Sequence, residues 1–423
     1  MQFTRAVFKN GLRVVMAPMP GNLATTAIIL VEAGSKYETK DINGLSHFLE
    51  HMCFQGTKKR KTSLDVTNEL NNIGAEFNAF TTYEQTGYHV KARNNDIEVV
   101  LDVLSDMYIN PKFEEKEIER EKGVVVEEMK LNDDIPKRRV ADVFMELMYG
   151  REQPAGWRIE GHPEIVRALT RENILQYRSK FYLAPATTLV LAGGFDQDAL
   201  LPKIENYFSE MPAGEKGQKL PVKEEQGAPG IKLQFKESDQ THLILGVRAY
   251  NMFDKRRYAL GLLGDILGAS FGSRLFERLR NEMGVAYYVG AGAEMMTDHG
   301  FLEAAAGVDN TRFLEATKAI IEEMKRLADQ KVPADELQRT KNRIAGNTVL
   351  GLETSEAVAM FYGDQEHFGR PIETPEEMLE KLTAVTAEDI QNVAQDILKN
   401  DRLNLAVIGP HKESEELRKI LSF

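Results

Sequence analysis

The sequence predicts an α+β protein made of two homologous domains, each a mainly antiparallel sheet packed against helices. The main observation is an internal repeat. Thr25 and Thr241 begin similar strand-like segments 216 positions apart, and Thr170 and Thr386 begin similar helix-and-strand segments with the same offset of 216. A constant shift between widely separated segments indicates two copies of one fold of about 200 residues, not a short-period solenoid.

The second observation is a change of composition between the two copies. Residues 211–230 are rich in proline, glycine and charged residues, which is typical of an exposed linker. A chain of 423 residues is also longer than most single domains. We therefore expect a first domain at residues 1–212, a linker at 213–230 and a second domain at 231–423.

The order of elements in the first copy gives the third observation, a mixture of strands and helices. Apolar runs of strand length and apolar positions at helical spacing distinguish the two kinds of element. The predicted strands are 12–17, 25–33, 75–82 and 85–92. The predicted helices are 44–55, 63–73, 96–109 and 114–148.

Composition excludes several functional classes. The formal net charge of −12 argues against a nucleic-acid-binding surface. The longest apolar stretches have strand length, and the first residues lack the apolar region of a signal peptide, so we expect no membrane association and a cytoplasmic protein. The single cysteine, Cys53, cannot form an intrachain disulfide and fits a reducing compartment.

Residues 47–51 carry the pattern H-x-x-E-H, which is typical of an inverted zinc-peptidase motif. On an α-helix, His47, Glu50 and His51 share one stripe, so two imidazoles and one carboxylate converge. The apolar residues of the same helix fall on its opposite side, where they would anchor it in a core. The motif therefore predicts two metal ligands with a general base beside them.

A catalytic zinc ion needs a third protein ligand, commonly a carboxylate. The helical pattern over 111–132 places Glu117, Glu121 and Glu128 on one stripe. Three neighbouring carboxylates repel one another, and a bound cation would relieve that repulsion. The adjacent Glu127 points about 100° away from the stripe, so Glu128 is the better candidate for the third ligand.

Three longer segments and one spacing carry a resemblance to a known family. The segments are GLSHFLEHMCFQGT at 44–57, GAEFNAFTT at 74–82 and SRLFERLRNEMGVAY at 273–287, and 76 residues separate His51 from Glu128. The chain resembles the pitrilysin and insulinase zinc peptidases of family M16, most closely single-chain bacterial relatives of the beta subunit of the mitochondrial processing peptidase. This resemblance implies two similar halves that close like a clamshell around a peptide.

The resemblance also implies the roles of individual residues. It implies one Zn²⁺ per chain held by His47, His51 and Glu128, with Glu121 supporting the site from behind and Glu50 acting as the general base. In the second half, the helix near residues 260–268 has no histidine, so we expect that half to grip substrate and not to bind zinc.

Substrate contacts are implied on both halves. The strand that carries Asn78, Ala79 and Phe80 can add the peptide as an extra β-strand, since backbone pairing binds extended peptides. By the resemblance, Asn78 contacts the substrate near the metal, and Arg280 with Tyr287 binds its carbonyl and stabilises the oxyanion. The alternatives are ordinary structure: Asn78 hydrogen-bonded to a neighbouring turn, Arg280 in a surface ion pair and Tyr287 in a core.

We therefore expect a zinc metalloendopeptidase that hydrolyses extended or unfolded peptides inside a chamber. The alternative is a catalytically silent scaffold subunit with the same fold. The resemblance further implies a homodimer.

Overall fold

The computed structural model describes residues 2–423. Its strands, numbered in chain order, are β1 (Thr4–Val7), β2 (Arg13–Pro18), β3 (Ala24–Val31), β4 (Glu76–Thr81), β5 (Thr86–Arg93), β6 (Thr187–Gly193), β7 (Gly230–Phe235), β8 (Gln240–Ala249), β9 (Ala286–Met295), β10 (Gly300–Asp309) and β11 (Leu403–Gly409). They form one sheet of order β1-β2-β6-β3-β5-β4 and a second of order β7-β11-β8-β10-β9.

The α-helices are α1 (Leu45–Met52), α2 (Ser63–Asn72), α3 (Ile97–Ile109), α4 (Glu115–Asp134), α5 (Pro136–Tyr149), α6 (Pro163–Ala168), α7 (Arg171–Phe181), α8 (Gln197–Tyr207), α9 (Arg257–Gly268), α10 (Phe313–Asp329), α11 (Ala334–Gly351), α12 (Ser355–His367), α13 (Pro375–Ala384), α14 (Ala387–Ile397) and α15 (Glu415–Ile420). A π-helical segment covers Phe276–Glu282. Among the helices of residues 2–423, none combines the length and the apolar character needed to cross a membrane.

Both sheets are mainly antiparallel, as the sequence predicts. Each contains one parallel pair, β2 with β6 and β7 with β11, and its other neighbours are antiparallel. Strands β6 and β11 are counterparts in the repeat, since their first residues, Thr187 and Leu403, are 216 positions apart. Every residue of both strands is buried, which explains their continuous apolar sequences. The predicted α+β class with two homologous sheet-and-helix domains is confirmed.

The chain divides into two compact units that are discontinuous in sequence. The first comprises residues up to Met129, Arg158–Leu220 and Thr348–Pro375, and the second comprises Lys130–Trp157, Pro221–Asn347 and Glu376–Phe423. The predicted division into 1–212 and 231–423 follows the repeat along the chain. The compact units depart from that division in two segments, 130–157 and 348–375.

Each departing segment carries a helix that covers one face of a sheet. In the first unit, α12 packs on β2, β3 and β6, and in the second unit α5 packs on the counterpart strands β7, β8 and β11. Gly363 of α12 lets the helix approach closely, because a Cβ there would lie 3.0 Å from Val190 Cγ2 and 3.2 Å from Leu30 Cδ1. The opposite face of the first sheet packs on a core that includes α1 and α3.

The predicted single helix over 114–148 is wrong, because the chain forms α4 and α5 with a break between them. Pro136 occupies the first turn of α5, where its missing N–H costs nothing. The preceding residue, Ile135, is extended with φ −100° and ψ 97°, as the proline ring requires. The break gives α5 its own direction, so it packs in the second unit while most of α4 belongs to the first.

Candidate metal centre

Helix α1 presents the motif residues on one side and a core on the other. Leu45, Phe48, Leu49 and Met52 are fully buried, as the apolar pattern predicts. The opposite stripe carries the two imidazoles and the carboxylate of the motif. The apolar side is packed against the core along the whole length of α1. This packing fixes the rotation of the helix about its axis, and therefore the direction in which the polar side chains point.

The structure brings His47, His51 and Glu128 together. The Nε2 atoms of His47 and His51 lie 3.8 Å and 3.5 Å from Glu128 Oε2. One ligand atom from each residue lies within 4.8 Å of those of the other two. Tetrahedral zinc with bonds of about 2.1 Å would separate its ligand atoms by about 3.4 Å. The spacing and the donor set of two imidazoles and one carboxylate therefore fit a zinc ion.

The two imidazoles differ in proton affinity. Burial, and then the charge of His51, lower the pKa of His47 to about 4, which keeps a lone pair available at neutral pH. Burial also disfavours the charged form of His51, but its hydrogen bond to Glu121 and the charges of Glu50 and Glu128 outweigh burial and raise its pKa. A metal ion must therefore displace a proton from His51 more often than from His47.

Glu121 lies behind His51 and is itself held by a chain of polar contacts. His51 Nδ1 and Glu121 Oε1 are 3.0 Å apart, which leaves Nε2 facing Glu128. Gln55 Nε2 donates to Glu121 Oε2 at 3.1 Å, and Gln55 Oε1 accepts from Arg120 Nη2 at 2.6 Å. Arg120 Nη2 also forms a salt bridge with Glu117 Oε2 at 2.5 Å. Glu117 therefore belongs to this chain of polar contacts and not to the group of His47, His51 and Glu128.

Glu50 lies on the same stripe of α1 and is 9% exposed. Its Oε2 accepts a hydrogen bond from Thr81 Oγ1 at 2.5 Å. Burial raises the pKa of Glu50, the Thr81 hydroxyl and the charge of His51 lower it, and the charge of Glu128 raises it, with a net increase. A carboxylate whose pKa lies above its usual value is a stronger base than an ordinary glutamate, which suits it to accept a proton.

Strand β4, which carries Asn78, Ala79 and Phe80, is the last strand of its sheet, and among residues 2–423 its one partner is β5. Thr82 N donates to Gln85 O just beyond the strand, and hydrogen-bonded pairs alternate along an antiparallel ladder. By this alternation, the backbone N–H and C=O groups of Asn78 and Phe80 are directed to β5. Those of Ala79, between them, are directed to the free edge of the sheet. Its N–H donates to Asn78 Oδ1 at 2.9 Å.

The three residues of this strand do not share one face. Phe80 packs in the core under α12, and its ring lies over Gly87, where a Cβ would be 2.3 Å from Phe80 Cζ. Ala79 packs on the opposite core, on the side of α1. The side chain of Phe80 is therefore directed away from the metal centre, although its backbone belongs to the same strand.

Arg280 and Tyr287 belong to the second compact unit, where the structure brings them together. Arg280 lies in the π-helical segment and Tyr287 on β9, the last strand of the second sheet. Arg280 Nη1 donates to the backbone carbonyl of Tyr287 at 2.5 Å. Tyr287 is 58% exposed, so its ring is not part of a core.

Sequence reasoning missed three residues of the site: Thr81, Gln55 and Glu38. Thr81 lies inside the segment 74–82, and Gln55 follows His51 by one helical turn, so both had a signal in the sequence. Glu38 accepts hydrogen bonds from the backbone amides of Gly44 and Ser46 at the start of α1. No pattern in the sequence links Glu38 to that helix end.

Comparisons with family models match two parts of the chain. Residues 13–158 match the insulinase family (peptidase family M16), and residues 168–344 match the peptidase M16 inactive domain. The first match contains His47, His51 and Glu128. The second covers the end of the first copy of the repeat and much of the second copy, in which the counterpart of the motif segment has no histidine motif.

Curated relatives match over nearly the whole chain. An uncharacterized zinc protease of Streptomyces coelicolor is 30% identical over 420 residues, covering 98% of this chain and 91% of the relative. An uncharacterized zinc protease of Rickettsia felis is 32% identical over 414 residues, covering 97% of this chain and 98% of the relative.

Solved structures share the fold. A protease from Helicobacter pylori superposes with a TM-score of 0.91 at 20% identity, covering 97% of this chain and 99% of that one. A peptidase M16 inactive domain from Pseudomonas fluorescens gives a TM-score of 0.88 at 17% identity, covering 98% and 100% of the two chains. These two likenesses concern the fold, and the family models together with the full-length relatives show that the chain belongs to the insulinase family of peptidases, family M16.

Proposed function

We propose that this protein is a zinc-dependent metalloendopeptidase that hydrolyses extended or unfolded peptides inside a chamber. The observation that most supports the proposal is the approach of ligand atoms of His47, His51 and Glu128 to within 4.8 Å of one another, beside the buried carboxylate of Glu50. Relatives named zinc proteases along the full length of the chain support the same activity.

His47, His51 and Glu128 would hold the ion, one per chain. A zinc ion in such a site polarises the scissile carbonyl and makes a water molecule more acidic. Glu121 fixes the ring of His51 so that Nε2 points to the ligand position, and it makes that nitrogen a better donor.

Glu50 is the proposed general base and then general acid. Thr81 holds its Oε2, so we assign the proton transfer to Oε1. The carboxylate takes a proton from the attacking water and later gives it to the nitrogen of the leaving amine. The raised pKa of Glu50 favours the first step, because a stronger base accepts the proton of the water more readily.

Strand β4 is the proposed peptide-binding edge. The backbone of Ala79 faces the free edge, and an extended peptide could add there as a further antiparallel strand. Asn78 would exchange its contact with Ala79 N for one with the peptide. Pairing through the backbone binds extended chains with little demand on their sequence, so broad specificity follows.

Arg280 and Tyr287 are proposed to contact the substrate carbonyl and to stabilise the oxyanion. The hydrogen bond from Arg280 to the Tyr287 carbonyl holds the two residues as a unit, and the exposed tyrosine ring leaves its hydroxyl available. This role rests on the resemblance of residues 273–287 to the family.

The test is Glu50→Gln, which removes the base but retains the volume of the side chain. We expect stoichiometric zinc by metal analysis and no cleavage of a quenched peptide library, while the wild type cleaves, loses activity to a chelator and regains it with zinc. Substantial activity of Glu50→Gln would contradict the role of Glu50. A zinc-loaded wild type that cleaves none of the library would instead support a silent scaffold subunit.

The homodimer stays a prediction. Sedimentation of the zinc-loaded protein would test it, with a particle of twice the chain mass of 47.7 kDa as the expected result.

A further inference from the structure

We propose that Glu38 is a positioning residue for the metal-binding helix: its carboxylate caps the start of α1 and thereby holds His47 and His51 in the geometry that binds the ion. This inference rests on the proposed zinc site. It does not require peptidase activity, because its readout is zinc affinity.

Helix α1 needs a cap from elsewhere in the chain. It has only 8 residues, and helices that short are not stable alone in water. Its N-cap residue is Gly44, which has no side chain to accept a hydrogen bond from the first turn.

A capping side chain at position 44 is excluded by the local backbone. Gly44 has φ 99°, in the left-handed region that favours glycine. A Cβ at this position would lie 2.4 Å from the carbonyl oxygen of Glu160. Serine, threonine, aspartate and asparagine, the usual N-cap residues, therefore cannot replace Gly44 without a shift of the backbone.

Glu38 supplies the missing acceptors with both of its oxygens. Oε1 accepts from Ser46 N at 2.6 Å, and Oε2 accepts from Gly44 N at 2.8 Å and from Asn43 Nδ2 at 3.0 Å. The side chain is 3% exposed. A negative charge at this end of a helix also interacts favourably with the helix dipole.

The capped amides lie next to the metal ligands. Ser46 directly precedes His47, and its hydroxyl is also held, 2.8 Å from the hydroxyl of Tyr177. If the cap is lost, the first turn of α1 frays at the residue before His47. Zinc ligands must be held to within about 0.5 Å of the required geometry, so fraying here weakens binding even when the fold survives.

Burying the carboxylate of Glu38 is unfavourable in free energy unless hydrogen bonds compensate for the lost hydration. Burial raises the pKa of Glu38 to about 7, although the amides of Ser46 and Gly44 and the side chain of Asn43 lower it. A buried carboxylate is costly unless its oxygens are hydrogen-bonded. All of the hydrogen bonds named here go to the turn that begins α1, so the carboxylate is bound to this helix end.

The experiment compares the zinc affinity of Glu38→Gln, Glu38→Asp and wild type by competition with a chelator. Glu38→Gln keeps the volume but replaces one acceptor oxygen by a donor that opposes the backbone amides. We expect its zinc affinity to fall by about 10- to 100-fold, the size usual for groups that orient metal ligands. Glu38→Asp keeps the charge at a shorter reach and should lie between Glu38→Gln and wild type.

Thr62→Ala is the matched control. Thr62 caps α2 in the same compact unit through a capping box with Asp65, and α2 carries no proposed ligand. We expect a similar fall in thermal midpoint for Thr62→Ala and Glu38→Gln, with unchanged zinc affinity only in Thr62→Ala. Wild-type affinity in Glu38→Gln, or equal weakening in Thr62→Ala, would overturn the proposal. A wild type that binds zinc without cleaving peptides would refute the proposed function and leave this inference standing.

Discussion

Thr81 Oγ1 donates a hydrogen bond to Glu50 Oε2 across 2.5 Å. Thr81 is the last residue of β4, the strand whose free edge is proposed to bind the peptide, and Glu50 is the proposed base. One side chain therefore links the peptide-binding strand to the group that handles the proton. Through this contact, the orientation of the Glu50 carboxylate depends on the position of β4.

Replacing Thr81 by valine removes the hydroxyl and retains the shape of the side chain. We expect kcat to fall by roughly tenfold, a part of the 10²- to 10⁴-fold that a positioned base contributes, because the carboxylate loses its fixed orientation. KM and zinc content should stay within about twofold of wild type. Thr81→Ser should restore kcat, and an unchanged kcat in Thr81→Val would show that Glu50 is oriented by other contacts.

Glu121→Gln tests the contact behind His51. The amide can still bond to His51 Nδ1 but carries no charge, so the imidazole becomes a weaker donor. We expect zinc affinity to fall about 10- to 100-fold in competition with a chelator. Glu119→Gln on the same helix is the control, since Glu119 is exposed and pairs with Lys122. Equal affinity in the two variants would contradict the role of Glu121.

Ala79→Pro tests peptide addition to β4. Ala79 N–H faces the free edge, so proline removes that donor without breaking the ladder to β5, and prolines are tolerated on edge strands. We expect a rise in KM for extended peptides of about tenfold, worth about 1.4 kcal/mol of binding. Ala79→Ser, which keeps the amide, should bind peptide like wild type. A KM for Ala79→Pro equal to that of Ala79→Ser would exclude this mode of binding.

Glu303→Gln tests the effect of one raised pKa on stability. Burial, and then the charge of Glu294, raise the pKa of Glu303 to about 7. The folded state therefore holds this proton more tightly than the unfolded state, whose glutamate has a pKa near 4.5. The stabilisation from that proton is complete below pH 4.5 and is lost as the pH rises through about 7.

Glutamine does not titrate, so Glu303→Gln does not lose this stabilisation as the pH rises. Its free energy of unfolding should nearly match that of wild type at pH 4.5 and exceed it at pH 8 by about 3 kcal/mol, or about 6–12 °C in thermal midpoint. Calorimetry in the presence of chelator measures the difference without a contribution from metal release. The exposed Glu416→Gln is the control and should show no such trend; a constant difference between Glu303→Gln and wild type would contradict the raised pKa.

The sequence was sufficient to predict the fold class and the proximity of His47, His51 and Glu128. Helical spacing placed His47 and His51 on one stripe, and the same spacing in α4 distinguished Glu128 from Glu127. Both inferences use only local geometry. The buried side of α1 could be predicted for the same reason, because a helix with this pattern carries its apolar residues on one side.

Contacts between residues far apart along the chain could not be predicted from the sequence. Nothing local indicates that Glu38 reaches the start of α1, or that Gly44 is required because Glu160 passes within reach of its missing Cβ. The break at Pro136 was readable in principle, since proline ends helices at the residue before it. The packing of α5 in the other compact unit depends on the complementary faces of helix and sheet, which no repeat in the sequence encodes.

The most direct measurement is the crystal structure of the zinc-loaded protein with anomalous data at the zinc edge. We expect one anomalous peak per chain, about 2.1 Å from the Nε2 atoms of His47 and His51 and about 2.0–2.2 Å from a carboxylate oxygen of Glu128. A peak elsewhere, or one that Glu128 does not reach, would contradict the claim that these three side chains form the metal site.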